Sequence, residues 1–263
     1  MRTRRAVGLL LLALLWPLPS QGVGSVPGAS APFRPGEKLT YDLYWEFIHA
    51  GTAWMEVTKN EEYEGASAYH FLMTVRTNSV IDRIYKVRDT IESYTDRPLS
   101  RSLVYRKKQE EGSHRRDITV RFDWDQSLAE YSNFGKRQKP VAVVPGTFDP
   151  LSIFYAMRLM PLQDNSEVQT PVSDGKKCVI GKARVLGAQK IRVGDQEYQT
   201  RILEPDLKDL GGIFRKSRGA QVLIWVTDDD RRIPVKVTSK VAVGHFVAEL
   251  KEARNVPLAI AGN

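Results

Sequence analysis

From residue 38 onward, apolar and polar residues alternate along much of the chain. The longest such run has its apolar positions at Leu39, Tyr41, Leu43, Trp45 and Phe47. Because successive side chains of a β-strand point to opposite faces, this spacing predicts a strand with one apolar face. Further alternating or β-branched runs lie at 53–57, 69–75, 85–94, 103–107, 118–124, 178–186, 190–193, 197–204, 220–227, 233–243 and 244–251. The pattern predicts an all-β chain of about ten to twelve antiparallel strands.

One segment departs from this alternation. Asp149 can cap the first backbone amides of a helix, and Pro150 suits its first turn. Large apolar residues then recur at helical spacing as far as Leu159, and Pro161 ends the run. We therefore expect a strongly curved antiparallel sheet, either a half-open barrel or two packed sheets, with one short helix of about three turns that covers or plugs it.

Residues 1–31 have the composition of a secretory signal peptide and leader. A basic start precedes the apolar run 6–16, which is too short to span a bilayer, and a small-residue segment follows. We expect a single domain at 32–255 and a short tail at 256–263. Cys178 is the only cysteine, which excludes an internal disulfide and a lipid-bearing cysteine after the apolar run. These features predict a bacterial protein that is soluble after cleavage, periplasmic or secreted, and without a transmembrane anchor.

The net charge of the chain limits which classes of binding partner we expect. The chain has 39 Lys and Arg against 31 Asp and Glu, a formal net charge of +8, which falls to +5 without the three arginines of the leader. A mildly basic protein favours anionic partners such as lipid headgroups or acidic polysaccharide. Nothing in the sequence resembles a nucleic-acid-binding motif, so we expect no nucleic acid partner.

No constellation of residues indicates catalysis. Ser152 lacks the glycines of a nucleophile elbow, and Cys178 lies in a strand-like run without a nearby partner. Asp228-Asp229-Asp230 has the composition of a turn between strands. The histidines stand alone, without the spacing of a metal site, at His49, His70, His114 and His245. We therefore expect a protein that is not an enzyme and that has no cofactor or metal.

Basic side chains are the first candidates for ligand binding. Arg106 and Lys107 flank one side of a predicted hairpin tip, and Arg115 and Arg116 flank the other. Opposed strands would gather them into a basic finger for phosphate-bearing lipid headgroups or lipopolysaccharide. The alternative is a solvated edge hairpin whose charges discourage aggregation. Residues 136–139 form a second basic cluster.

Aromatic side chains are the second kind of candidate. Tyr41 and Trp45 lie on the apolar face of the first strand. If a curved sheet encloses them, its lumen would suit an acyl chain, and both would line the ligand site. They equally fit an ordinary dry core, since large apolar residues are inside by default. Arg158, near the end of the predicted helix, is either the partner of a strand or a ligand contact.

Five short motifs are spread along the chain: FRPGEKLTY at 33–41, AG at 50–51, DPLS at 149–152 with Tyr155 and Arg158, WVTD at 225–228, and RIPVK at 232–236. Together they resemble the bacterial family catalogued as domain of unknown function 3108. The resemblance covers residues 33 to 252. It implies an exported, mostly antiparallel β protein without established activity, and therefore without family catalytic residues to carry over.

These features favour a soluble periplasmic binding or carrier protein for an amphipathic, anionic envelope molecule such as a lipid, a lipoprotein or lipopolysaccharide. In that hypothesis the aromatic pair contacts acyl chains, and the basic side chains contact the headgroup. One alternative is a non-enzymatic interaction module that assists envelope assembly through exposed edge strands. The other is an exported polysaccharide hydrolase, for which Glu92, Asp123 and Glu130 are the available carboxylates.

Overall fold

A computed structural model describes residues 31–259 apart from 60–61, 209–216 and 218. The described helices are α1, Ser79–Tyr85, and α2, Ser152–Ala156, which a 3₁₀ turn continues over Met157–Leu159. The described strands are β1 Lys38–Trp45, β2 Ile48–Val57, β3 Glu62–Tyr63, β4 Ala66–Thr77, β5 Arg88–Asp96, β6 Ser102–Glu111, β7 His114–Asp123, β8 Leu128–Asn133, β9 Lys136–Arg137, β10 Val141–Ala142, β11 Glu167–Ser173, β12 Cys178–Val193, β13 Gln196–Pro205, β14 Gln221–Thr227, β15 Pro234–Val241 and β16 Gly244–Arg254.

The strands form one large antiparallel sheet in which most neighbours are consecutive in the chain. Its order is β10-β8-β7-β6-β5-β4-β2-β1-β16-β15-β14-β13-β12-β11, with β3 paired to β4 and β9 to β8. The pairing of β1 with β16 joins the first and last described strands at the centre of the sheet. The sheet is not closed. The predicted all-β, antiparallel fold is therefore confirmed, and of its two alternatives, a half-open barrel or two packed sheets, this single open sheet matches the first.

A short connecting segment bridges the curved sheet where its two halves approach each other. The amide of Ser102 in β6 donates to Thr147 O at 3.1 Å. Phe148 N donates to Pro171 O, and Ser173 N to Phe148 O, both at 2.9 Å, which joins the same segment to β11. Because these backbone groups are paired inside the protein, the segment holds the sheet in a barrel-like curve.

Helix α2 plugs the interior of the sheet. Leu151 N and Ser152 N donate to Asp149 Oδ1 at 2.8 and 3.0 Å, so Asp149 caps the turn that leads into α2, which begins two residues later than predicted. The ring of Tyr155 stacks on Phe71 at 3.9 Å between centroids, and both are fully buried. The helix is shorter than predicted because the chain tightens into the 3₁₀ turn after Ala156.

Three features of the fold differ from the sequence-based expectation. Helix α1 lies at 79–85, where no helix is predicted, because its seven residues make only about two turns, too few for a helical period to stand out in the sequence. Strands β8 and β11, and the short β3, β9 and β10, lie outside the predicted runs. Strand β12 continues through the predicted break after residue 186, since Gly187, with φ of +120°, allows a β-bulge there.

The predicted signal peptide lies outside the described residues, apart from residue 31. None of the helices in the described part of the chain has both the length and the apolar character needed to cross a membrane.

Candidate functional site

The predicted basic hairpin exists, but its charged side chains divide between the two faces of the sheet. Strands β6 and β7 pair from Val104 to Glu111, around the turn at Gly112 and Ser113. Side chains alternate along each strand, so Lys107 lies on the inner face and its neighbour Arg106 on the outer face. Arg115, which lies opposite Glu110 in the strand register, is on the outer side. This corrects the expectation of a single basic finger.

On the inner face, Lys107 belongs to a buried polar cluster with Asp89, Gln109 and Glu111. Gln109 Nε2 donates to Glu111 Oε1, and the amide of Glu110 donates to Asp89 Oδ1 at 2.9 Å. Asp89 Oδ2 has no hydrogen-bond partner among the described residues. Burial and the nearby Glu111 raise the pKa of Asp89 to about 7, while burial lowers the pKa of Lys107. A headgroup contact by Lys107 stays a prediction.

On the outer face, the basic side chains have different partners. Arg106 lies 3.5 Å from Glu92 and over the ring of Tyr94. Arg115 donates only to backbone oxygens, of Gly112 at 2.8 Å and of His114 at 2.9 Å. Thus Arg106 has a carboxylate partner, whereas the charge of Arg115 is uncompensated.

The turns at one end of the sheet come together around helix α1. Asn78 Nδ2 donates to His49 O at 2.6 Å, which connects the start of α1 to β2 beside the β1–β2 turn. Gly112 N donates to Lys86 O at 2.7 Å, which connects the end of α1 to the β6–β7 turn. Phe134 N donates to Asp117 O at 2.8 Å, which holds the β8–β9 turn against β7. These three turns and α1 are called here the α1 end.

In the described residues, six exposed basic side chains without ion-pair partners lie at the α1 end. Within the described part of the chain, none of the following forms an ion pair: Arg76, Arg83, Lys86, Arg115, Lys136 and Arg137. Two exposed carboxylates, Glu46 and Asp117, lie at the same end, and Glu46 Oε1 accepts from His245 N at 2.8 Å. The excess of cations makes this surface positive. Sequence reasoning identified the clusters at 115–116 and 136–139, but not Arg76, Arg83 and Lys86, which stand singly in the sequence.

The two aromatic candidates lie in or against the core. Tyr41 is buried, its hydroxyl donates to Pro234 O at 2.8 Å, and burial raises its pKa. Trp45 is half-buried, and its Nε1 donates to Val243 O at 3.2 Å. Phe33, Phe71 and Tyr155 pack edge-on or stacked within the same core. These contacts fit the dry-core alternative, and an acyl-chain contact stays a prediction.

Arg158 has protein partners for its whole guanidinium group. It lies in a buried ion pair with Glu37, at 2.5 Å from Nη1 to Oε1. Its Nη2 also donates to Pro32 O at 2.7 Å, and its Nε donates to Arg231 O at 2.8 Å. The side chain thus holds the segment before β1 and the β14–β15 turn against the 3₁₀ turn. These contacts fit the prediction that Arg158 is a structural partner, and a ligand contact by Arg158 stays a prediction.

The residues considered for catalysis are dispersed. Ser152 is fully buried, and its hydroxyl donates to Asp149 Oδ2 at 2.8 Å. Glu92 is paired with Arg106, and Glu130 lies opposite Arg121 in the strand register, both on the outer face rather than across a cleft. In the residues that the structure describes, no group of three His, Cys, Asp or Glu side chains could hold a metal.

A surface groove of about 470 Å³ lies beside β11, β12 and β13. Its charges are compensated by ion pairs within its own walls. Lys182 lies 2.8 Å from Glu167, Lys208 lies 2.9 Å from Asp206, and Arg184 pairs with Glu204. Because each of these cations already has a carboxylate, the groove offers less unmatched charge to an anion than the α1 end does.

A solved structure of similar fold agrees with this architecture. A β-barrel-like protein of the domain of unknown function DUF1849 from Brucella abortus superposes with a TM-score of 0.55 at 10% identity, over 86% of this chain and 100% of that one. The hypothetical protein CT021 from Chlamydia trachomatis gives a TM-score of 0.39 at 8% identity, over 88% of this chain and 93% of that one. No curated protein matches the chain.

The Brucella structure is similar in fold alone, at an identity too low to transfer a function. The family comparison is more specific. The model of the family described as "Protein of unknown function (DUF3108)" matches residues 40–251, which is most of the chain. The resemblance drawn from the five sequence motifs is thereby confirmed, and the chain belongs to the DUF3108 family.

Proposed function

We propose that this protein is a non-enzymatic binding module of the bacterial periplasm or cell exterior that recognises an anionic, amphipathic envelope molecule. Its ligand class is a phosphate-bearing lipid, a lipoprotein or lipopolysaccharide. The observation that carries the proposal is the group of exposed, unpaired basic side chains at the α1 end.

An unpaired surface cation gains most from an external anion, because it has no internal partner to give up. Arg83, Arg115 and Arg137 come from three different elements, α1, β7 and β9. Their local chain is held by the hydrogen bonds that join α1 to its neighbouring turns. Several fixed charges close to an anionic surface contribute about 1 kcal/mol each.

The proposal differs from the sequence-based hypothesis in the part of the molecule that meets the ligand. The interior around Tyr41, Phe71 and Tyr155 is occupied by stacked aromatic side chains and by α2. We therefore assign recognition to the α1 end rather than to the lumen.

Vesicle binding tests this function. We would incubate the purified protein, expressed from Pro32, with vesicles of phosphatidylcholine alone and with vesicles that also contain phosphatidylglycerol, and measure co-sedimentation. We expect binding only to the anionic vesicles, and we expect added salt to weaken it, because salt screens exposed charges. Organic-solvent extraction of the protein, followed by lipid mass spectrometry, would identify any ligand that co-purifies.

Equal binding to both kinds of vesicle, or binding that is insensitive to salt, would contradict charge recognition. If the protein also fails to bind soluble short-chain phosphatidylglycerol, the proposed ligand class is wrong.

A further inference from the structure

Exposed apolar side chains concentrate at the same α1 end as the unpaired cations. Eight large hydrophobic side chains are exposed in the described part of the chain. Five of them lie at this end: Phe47, Ile48, Val80, Ile84 and Phe134. Phe47 is 91% exposed, at the tip of the β1–β2 hairpin. Large apolar groups gathered on one surface indicate a site of interaction.

Helix α1 exposes its apolar residues instead of burying them. Val80 and Ile84 stand four residues apart and therefore share one helical face, which is 63% and 69% exposed at these two positions. Ile81 is the buried residue of the helix. Arg83 lies beside Ile84 and is also exposed. The outward face of α1 is thus apolar and basic at once.

Hydrogen bonds and an ion pair fix this orientation of α1. Asn78 Oδ1 accepts from the amides of Val80 and Ile81, both at 3.0 Å, and so caps the helix. Asp82 lies 2.5 Å from Arg88 Nη2 and accepts from Thr77 Oγ1 at the same distance, which holds the helix to the start of β5. Turning Val80 and Ile84 inward would break these contacts, so the exposed face is a stable feature of the fold.

The β1–β2 turn is held close to α1. Glu46 N donates to His245 O at 2.7 Å, which supports the turn from β16. On the other side, Asn78 N donates to Ala50 O at 2.9 Å. Phe47 and Ile48 therefore lie beside α1 on a supported hairpin, and their exposure is not that of a loose chain end.

We infer that the α1 end docks on an anionic bilayer and inserts Phe47 and the exposed face of α1 into its interface. This inference rests on the proposed function and specifies its partner as a membrane surface rather than a single extracted molecule. Apolar side chains surrounded by Lys and Arg are the arrangement that binds the interface of anionic membranes. A second copy of the chain fits less well, because two surfaces with uncompensated Arg83 and Arg115 would repel each other.

Fluorescence quenching tests the insertion directly. The Phe47→Trp variant would be mixed with phosphatidylcholine–phosphatidylglycerol vesicles in which part of the phosphatidylcholine carries bromine on its acyl chains. Bromine quenches an indole only at short range, so we expect quenching in Phe47→Trp beyond that of the unchanged protein. A Leu186→Trp variant is the matched control, since Leu186 is exposed on β12, away from the α1 end.

Binding measurements on polar variants supply the second readout. Phe47→Ser and Ile84→Ser remove exposed apolar surface without opening the core, so both should fold normally. We expect each to weaken binding to the anionic vesicles about tenfold, because apolar area that enters the membrane is lost. Leu186→Ser, changed at an exposed position elsewhere, should bind like the unchanged protein.

The outcomes separate the inference from the function on which it rests. Anionic vesicle binding without quenching of Phe47→Trp, and with unchanged affinity for Phe47→Ser, would overturn insertion and leave charge recognition standing. Absence of binding to anionic vesicles and to soluble short-chain phosphatidylglycerol would overturn both. A dimer in sedimentation experiments that Phe47→Ser dissociates would assign the apolar surface to a second copy and overturn membrane docking.

Discussion

The α1 end and the groove beside β12 and β13 both carry exposed Lys and Arg side chains. The two regions differ in whether these cations are paired with carboxylates. In the groove, Lys182 and Arg184 lie beside Glu167 and Glu204. At the α1 end, exposed side chains such as Arg83 have no ion-pair partner in the described residues. The apolar surface differs as well, because most of the exposed large hydrophobic side chains lie at the α1 end.

This difference shows why a surface groove and the best candidate surface need not coincide. Paired surface charges are largely satisfied within the protein and contribute little to either stability or recognition. Unpaired cations next to exposed apolar groups contribute nothing evident to the fold, so a partner outside the chain is the simplest use for them. Substitutions that remove only paired charges, or only unpaired charges, therefore test this comparison.

The largest expected effect is on a paired, buried charge. Arg158→Met leaves the carboxylate of Glu37 buried without its partner, and we expect the free energy of unfolding to fall by about 3–5 kcal/mol. Urea unfolding followed by intrinsic fluorescence would measure it. The double variant Arg158→Met with Glu37→Gln removes the isolated charge and should recover part of the loss. A change below about 1 kcal/mol in the single variant would show that this pair is not a structural requirement.

The second-largest expected effect is on the affinity of the protein for anionic vesicles. Replacing the unpaired Arg83, Arg115 and Arg137 together by Gln should weaken binding to anionic vesicles by about 3 kcal/mol, or roughly 100-fold, at about 1 kcal/mol for each charge. Unfolding should be unchanged within about 0.5 kcal/mol.

The matched control for that variant changes the net charge equally but removes paired cations. Replacing Lys182, Arg184 and Lys208 of the groove together by Gln should leave vesicle affinity close to that of the unchanged protein. Equal losses of affinity in the two triple variants would show that only net charge matters and that the α1 end has no special role.

A smaller effect concerns the buried cluster on the inner face of β5 and β6. The folded protein holds the proton of Asp89 up to a pKa of about 7, against an ordinary value of 3.8. Between these values the free energy of unfolding should fall as pH rises, by at most about 1.4 kcal/mol per pH unit, and this contribution should be constant above them. Urea unfolding between pH 5 and 8 should show a shallower decline for Asp89→Asn than for the unchanged protein.

The pH profiles of Asp89→Asn and of the unchanged protein should differ only by the titration of Asp89. Glu111 and Lys107 are the charged groups that face it, and both remain in the variant. Asp117→Asn, at an exposed carboxylate on the neighbouring β7, should keep the pH profile of the unchanged protein. Parallel profiles for Asp89→Asn and the unchanged protein would show that Asp89 titrates normally.

The smallest effect is on an ordinary surface pair. Lys236 lies 2.6 Å from Glu249 across β15 and β16, with both side chains about a quarter exposed. Lys236→Ala should lower the free energy of unfolding by less than about 1 kcal/mol and leave vesicle binding unchanged. A loss as large as that of Arg158→Met would remove the distinction between buried and exposed pairs.

Much of the fold could be predicted because it follows from local patterns. The alternation from Leu39 to Trp45 and the runs up to Lys251 correctly predicted an antiparallel, curved sheet. Asp149 and Pro150 predicted the start of α2 to within two residues. Helix α1 could not be predicted, because its seven residues make only about two turns and show too short a helical pattern in the sequence.

The candidate site depended on contacts between distant parts of the chain. A pair of adjacent basic residues, Arg106 and Lys107, reads as one patch in the sequence, yet strand geometry puts the first outside and the second inside. Arg83 and Arg115 stand 32 residues apart and share one end only because α1 is hydrogen-bonded to the β6–β7 turn. Pairing also decides which charges are free, and a cation's partner is rarely its neighbour in the chain.

The sequence by itself determined the class of fold, the capped helix and the family, because alternation, capping residues and short motifs are local properties. Only the tertiary structure decided which side chains are buried, which charges are paired, and which apolar residues remain exposed. Arg158 illustrates the reason: its carboxylate partner, Glu37, lies 121 positions earlier in the chain, and their contact exists only after the sheet has curved around α2.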